Sequence, residues 1–209
     1  ETRARVYGEG RLIADGRPSS ASLAKVKRES MGERVAVARA IVDSLPAGES
    51  VILWCDTNDE ADALMAAFPD ATEVRGDHSQ LVKQTRLKAF THGQFDQIIT
   101  KADIAGMGLN WQHCAYQIFT GLNYSFERFY QALGRSYRYG QTREVHAYLL
   151  YSDAESNVLD TLRRKQDDFK IMQQAMNEAM REYGLFREND GRVLKSSQGS
   201  IPMKLPTWI

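Results

Sequence analysis

Arg135 and Arg138 stand three residues apart in the stretch Gln131-Ala-Leu-Gly-Arg-Ser-Tyr-Arg-Tyr-Gly-Gln141, bracketed by Gly134 and Gly140. That spacing lets both side chains project from one face of a helix. Two planar guanidiniums at the end of a helix, ahead of a strand, suit an anion such as a phosphoryl group. In isolation the pair reads equally as two solvent-exposed arginines. A second stretch runs Thr100-Lys-Ala-Asp-Ile-Ala-Gly-Met-Gly-Leu-Asn-Trp-Gln112. Thr100 and Lys101 offer a hydroxyl and a cation, the usual equipment for phosphate contacts. Gly106 and Gly108 let the backbone approach a ligand closely or adopt positive φ. Alone, this stretch also reads as a plain strand-to-helix loop.

Other chemistries find little support. Cys55 and Cys114 are isolated, so neither a disulfide framework nor metal spacing is present. Residues 59–62 spell Asp-Glu-Ala-Asp, the literal name of a family of nucleic-acid-dependent ATPases. There the acids follow a strand directly and hold the magnesium of ATP. Here Asp56, Thr57 and Asn58 intervene, and the acids fall in the first turn of a predicted helix, where the helix dipole alone favours carboxylates. Such a site also needs a phosphate-cradling G-x-x-x-x-G-K-[ST] loop upstream, which the sequence does not contain.

The elements that must position these residues follow from periodicity and punctuation. Residues 1–29 look irregular, broken by Gly8, Gly10, Gly16 and Pro18, and read as a lead-in arm or linker. Ser30 and Glu33 have capping-box form and open a helix through Leu45, stopped by Pro46 and Gly48. Val51–Cys55 suits a buried strand. Thr57 and Glu60 form another capping box for a helix to about Phe68. Thr72–Val74, Gln97–Thr100, Tyr116–Phe119 and Glu144–Tyr151 are further strands. Asp77 and Gln80 are expected to cap a third helix, marked by Leu81, Leu87 and Phe90. Ser125 starts a helix through about Leu133. Ser152 and Glu155 cap a long terminal helix with Val158, Leu159, Leu162, Phe169, Met172, Met176 and Met180 at helical spacing, and Gly184 as its stop.

Strands alternating with helices predict an α/β fold, an open, mostly parallel sheet with helices on both faces plus a long C-terminal helix. Ligands of such sheets sit beyond the carboxyl ends of the strands, so the residues that follow strands come first. The expected division is 1–29 arm, 30–152 α/β domain, 153–209 long helix and irregular tail. A length of 209 residues permits one such domain with appendages, and 43% apolar with 26% charged residues excludes a disordered or fibrous chain. Basic and acidic residues balance at 27 each, which excludes a histone-like basic binder but not a local basic surface. No apolar run approaches the roughly 18–20 residues of a membrane span. The chain opens on Glu1 rather than Met, as a piece of something longer would.

In this order and on this fold, the segments resemble the C-terminal RecA-like domain of superfamily-two helicases and translocases. The resemblance is closest to the Swi/Snf-type branch and strongest to helicases encoded by bacteriophages and prophages. It runs through most of residues 28–165. Val51-Ile-Leu-Trp-Cys-Asp-Thr-Asn-Asp-Glu-Ala resembles the family's fourth motif, and Gly76, Arg86 and Phe90 the "G … R … F" pattern that follows. Thr100–Gln112, with its G-x-G-L-N-x-Q core, resembles the fifth. Tyr130–Gln141, as Q-x-x-G-R-x-x-R-x-G-Q, resembles the sixth and is the most specific match.

The resemblance implies roles by position. Arg138 is the main arginine finger to the γ-phosphate of ATP and Arg135 its companion. Gln131 and Gly134 belong to the ATP cleft. Gly108 and Asn110 form a hinge between ATP state and nucleic-acid grip, and Thr100 and Lys101 contact backbone phosphates. Trp111, in place of the more usual Phe or Leu, reads as core rather than as a base-stacking residue. An arginine finger acts only on a nucleotide held by something else. ATP and Mg would be bound mainly by a preceding N-terminal RecA-like domain of the same protein, leaving the isolated chain inactive. The track is nucleic acid, with a tilt towards double-stranded DNA, and the setting is cytoplasmic, in a bacterial or phage-infected cell, with no membrane and no resident metal site. DNA or RNA, and unwinding or translocation, stay open. So does the long helix, whose methionine stripe packs on the domain or on the other half, or alternatively against a second copy. Two other readings compete. One is a self-contained nucleotide- or sugar-binding enzyme, which would need a glycine loop after the first strand where Cys55-Asp-Thr-Asn-Asp-Glu stands. The other is a non-catalytic nucleic-acid or partner-binding module that retains the fold.

Overall fold

The computed structural model describes residues 5–6, 25, 27–104, 109–121, 123, 125–138, 140–152 and 155–182. In chain order its elements are β1 (Arg5–Val6), α1 (Met31–Ser44), β2 (Val51–Trp54), α2 (Asn58–Ala67), β3 (Thr72–Val74) and α3 (Gln80–Thr91). Then come β4 (Gln97–Thr100), β5 (Tyr116–Phe119), α4 (Phe126–Leu133), β6 (His146–Leu149), β7 (Tyr151–Ser152) and α5 (Ser156–Glu182). The main sheet has the order β3-β4-β2-β5-β6, and every pairing in it is parallel. β2 lies at the centre because its run has no polar residue to keep in water, and all four residues are buried.

Alternation along the strands divides the core in two. Ile52, Trp54, Ile98, Phe119 and Leu149 face α3, α4 and the start of α5, packing with Leu87, Phe90, Phe129, Leu133, Val158 and Leu162. Val51, Leu53, Ile99, Ile118 and Leu150 face the other way, towards Ala38 of α1 and Ala61 and Leu64 of α2. The open parallel sheet with helices on both faces is thus as predicted.

Local differences have local causes. Residues 27–29 are already helical, so Ser30 sits inside a helical path (φ −87°, ψ −2°) and caps nothing; its Oγ accepts from Arg34 Nε at 3.2 Å instead. α3 is capped by Ser79, whose Oγ accepts from Val82 N at 3.3 Å, not by Asp77. Leu81 then lies on the outer face and is 74% exposed. The last strand is shorter than expected and continues as β7, which pairs in parallel with Arg5–Val6. A two-residue strand has no readable period, so the arm shows no sign of it in sequence. α5 begins at Ser156, and just before it the Glu155 carboxylate accepts from Ser152 N and Oγ at 2.9 Å each. Its apolar stripe runs off the domain: Val158, Leu159 and Leu162 are buried, Phe169 rests on Phe126 and Tyr130, and Met172 and Met176 are exposed. Gly184 and the tail lie outside the described residues.

Candidate functional site

The arginine stretch forms the turn that follows α4. Ser125 caps that helix, accepting from Arg128 N at 3.3 Å. At its far end Gln117, fully buried in β5, donates to Leu133 O at 3.1 Å and accepts from Trp54 Nε1 at 2.8 Å. The last turn of α4 is therefore level with the amino end of β5. The chain then tightens, with Arg135 N on Ala132 O and Tyr137 N on Leu133 O, both at 3.1 Å.

This turn is tied to the end of the Thr100–Gln112 stretch. Trp111 N donates to Arg135 O at 2.8 Å. Gln141 Nε2 donates to Gln112 O at 2.9 Å and to Ser136 O at 3.1 Å. Gln112 Nε2 reaches Arg138 O at 3.4 Å. Gly140 has φ +91°, and a Cβ there would stand 3.3 Å from Gln112 Nε2, so both backbone and space favour glycine. Gln112 and Gln141 were legible only as members of their motifs; the structure makes them the joint between the two stretches.

The predicted site residues fall into two groups. Arg138 is exposed and Arg135 half-buried, with a buried Nε that has no partner among the described residues. Burial, and then the like charge of Arg138, hold the Arg135 guanidinium below its ordinary pKa. Asn110 is exposed beside them and exchanges hydrogen bonds with Gln112 at 3.1 and 3.3 Å. Gln131 is exposed on α4, bonded to Glu127 at 3.0 Å. Gly134 is the helix cap at φ −65°, a conformation open to any residue. Gly108 lies outside the described residues.

Thr100 and Lys101 belong to the opposite, carboxyl end of the sheet. The Thr100 hydroxyl is 1% exposed and donates to Val74 O at 3.1 Å, so it ties β4 to β3 and does not reach a surface where a phosphate could meet it. Lys101 lines a pocket of ≈ 140 Å³ beyond the carboxyl ends of β2, β4 and β5, floored by Trp54, Phe119 and Phe129. Searching only directly behind strands thus finds Thr100 and Lys101 but not the arginines, which precede β6.

Three groups around this frame were not anticipated. Arg128 Nε pairs with Asp103 at 3.0 Å across the pocket mouth. Asp56 accepts from Lys27 Nζ at 2.8 Å and from Asn123 at 2.9 Å. Burial would raise the Asp56 pKa, but Lys27 and these hydrogen bonds hold it below the usual carboxylate range. Arg34, 1% exposed, pairs with Glu60 at 3.0 Å and donates to the Thr120 carbonyl. Two acids of residues 59–62 are therefore structural: Glu60 completes the capping box with Thr57 and holds Arg34, and Asp62 pairs with Arg75.

Trp111 is fully buried, as expected. It stands edge-on to Phe90 at 5.2 Å, and its Nε1 donates to Thr91 at 3.0 Å. Next to it, His113 packs on Phe90 at 5.1 Å, and its buried Nε2 has no partner among the described residues. Burial holds its pKa below the ordinary 6.5, against a hydrogen bond to the Phe90 backbone. A proton therefore favours the unfolded chain. Stability is expected to be full above about pH 6.5 and to fall as pH drops below it. Urea midpoints measured from neutral to mildly acidic pH check this, and His113→Gln should flatten the slope. The buried thiols of Cys55 and Cys114 are each pushed up to about 12, chiefly by burial, and are neutral. Among the described residues no His, Cys, Asp and Glu group could hold a metal ion, and no helix is long and apolar enough to cross a membrane.

Comparison with known proteins places this geometry. The helicase conserved C-terminal domain matches residues 33–140. A Dictyostelium discoideum protein described as probable ATP-dependent RNA helicase ddx41 is 25% identical over 114 residues, 53% of this chain and 17% of its own length. The chain thus spans under a fifth of that relative. Two solved structures share the fold. The C-terminal part of the Fun30 ATPase domain has a TM-score of 0.56 at 17% identity, over 62% of this chain and 44% of that one. The C-terminal domain of S. cerevisiae Dbp5, solved bound to Gle1 and IP6, has 0.55 at 15% identity, over 66% and 80%. The sheet is the RecA-like fold of helicase C-terminal domains. By its fold and the match over residues 33–140, the chain belongs to the helicase conserved C-terminal domain family.

Proposed function

We propose that this chain is the C-terminal motor half of an ATP-dependent nucleic-acid helicase or translocase. The observation that carries the reading is the joint at the amino end of the sheet. There, hydrogen bonds from Trp111, Gln112 and Gln141 hold the turn that presents Arg138 to solvent with Arg135 beside it. These bonds fix the backbone from which the two guanidiniums reach, so only their side chains have to settle as charge develops on a transferring phosphoryl group. In this reading Arg138 is the finger and Arg135 its companion. Gln131, Gly134, Gly108 and Asn110 border the ATP cleft, and Lys101 grips a phosphate of the track.

The P-loop and the magnesium carboxylates come from a preceding RecA-like domain, because the sequence has no G-x-x-x-x-G-K-[ST] loop. ATP and Mg would sit between the halves, closing them when bound and letting them reopen after hydrolysis. The motif pattern favours the Swi/Snf-type branch, phage-type members, and duplex DNA as the track. That setting would be the cytoplasm of a bacterial or phage-infected cell. The curated relative is by its description an RNA helicase, so the track is tested rather than assumed. ATP hydrolysis by the isolated chain, with and without duplex DNA or RNA, is expected to be absent. Turnover stimulated by nucleic acid would mean that the chain builds a complete site, and would overturn the half-motor reading.

A further inference from the structure

We propose that Arg128 is a second nucleic-acid phosphate contact beside Lys101, and that Asp103 is a latch that holds it until a phosphate arrives. The proposal rests on the motor-half reading and deepens it. Lys101 follows β4 and Arg128 lies on the first turn of α4, so two separate elements aim cations at one pocket of ≈ 140 Å³. That pocket lies beyond the carboxyl ends of parallel strands, the edge where such sheets take ligands.

The charges around it do not cancel. Among the described residues, two carboxylates, Asp56 and Asp103, line it with two cations, Lys101 and Arg128, and a third cation, Lys27, pairs with Asp56 from outside the pocket. Asp56 is committed: Lys27, only 6% exposed, holds it from behind at 2.8 Å, and Asn123 holds it at 2.9 Å. Among the described residues, the exchangeable charges at the mouth are Lys101 and Arg128 against Asp103. The Arg128–Asp103 pair has side-chain exposures of 51% and 55%. An ion pair in that much water is weak, because solvent screens it and both side chains keep other conformations within reach. A phosphodiester offers the guanidinium a charge-assisted contact and releases counterions from the strand. The exchange of Asp103 for phosphate therefore runs towards the nucleic acid, and Asp103 keeps Arg128 from engaging weaker anions.

The test is fluorescence anisotropy of a labelled DNA duplex, and of an RNA of the same sequence, with the whole chain across a salt series. Arg128→Ala and Lys101→Ala are each expected to weaken binding several-fold. Each should also lower the slope of log K against log salt by about 0.7–0.9, one phosphate's worth. Asp103→Asn, which keeps the shape and removes the charge, is expected to tighten binding several-fold. All three should melt with the wild type. A latch gives Arg128→Ala and Asp103→Asn opposite signs, whereas a merely structural ion pair gives them the same sign. Same-sign effects, an unchanged slope in Arg128→Ala, or no binding by the wild-type chain at low salt would each overturn the proposal. Displacement of the duplex by inorganic tripolyphosphate at equal phosphate concentration would show a site for free phosphate chains and would overturn the nucleic-acid assignment. These outcomes are separable from failure of the motor-half reading, which would leave the binding changes in place while Arg138→Ala left ATP turnover untouched.

Discussion

Alanine at Arg138 is expected to cut ATP turnover by roughly a thousandfold or more when the chain is assayed with its proposed nucleotide-holding half. The fold should not change. What the turn uses of Arg138 is its backbone carbonyl, which accepts from Gln141 N at 2.9 Å and from Gln112 Nε2 at 3.4 Å. The side chain is exposed, and surface substitutions of that kind stay within about 0.5 kcal/mol. Arg138→Lys keeps a charge but loses the planar fork that matches phosphoryl oxygens, so it should recover only part of the rate. Arg135→Ala is a less clean probe, because Arg135 is half-buried and its loss disturbs packing as well as charge. Steady-state turnover and thermal melting of the same preparations decide the matter. Turnover unchanged in Arg138→Ala sinks the finger assignment. A loss that tracks a fall in melting temperature makes Arg138 structural.

The sheet was legible because its strands carry the signal a buried parallel sheet must carry. Val51–Trp54 and Gln97–Thr100 are short runs with buried apolar residues between turn residues, and the helices that follow β2 and β5 open on Thr57 and Ser125 caps. The joint at the amino end was half legible: the arginines stand out by type and spacing, but nothing in the chain says that Gln112 and Gln141 meet, since that contact spans 29 residues. The two-ended layout was hidden for the same reason, because which edge of a sheet a residue occupies depends on whether it precedes or follows its strand. Thr100 misleads because a hydroxyl at a strand end serves a neighbouring carbonyl as readily as a phosphate. Asp59-Glu-Ala-Asp62 was rightly set aside as helix N-terminal charge, yet the chain gives no hint that Glu60 is buried against a residue 26 positions away.

That buried pair should be the costliest polar contact to break. Arg34 and Glu60 are 1% and 2% exposed, with Nη1 and Oε1 3.0 Å apart. Neither is satisfied by the other alone. Glu60 Oε2 also accepts from Asp56 N at 2.8 Å and Thr57 N at 3.1 Å, and Arg34 also donates to the carbonyls of Thr120 and Lys27 and to Ser30 Oγ. The pair thus staples α1 to the chain leaving β2 and to the chain leaving β5. Gly121 fits this: a Cβ there would run into the Glu60 carboxylate. Removing one partner strands a charge in the interior, so Arg34→Met and Glu60→Ala are each expected to lose about 3–5 kcal/mol in urea unfolding. The double variant strands no charge. It still leaves the Thr120 and Lys27 carbonyls without a donor, at about 1–3 kcal/mol each, and so should not return to wild-type stability. It should nevertheless lose well under the sum of the two single changes, with a coupling of a few kcal/mol. Additive losses would mean that each residue is held by its backbone partners and that the ion pair adds nothing. Because Asp56 and Asn123 sit next to the stapled segments, a loosened staple should also blunt the response of nucleic-acid binding to Asp103→Asn.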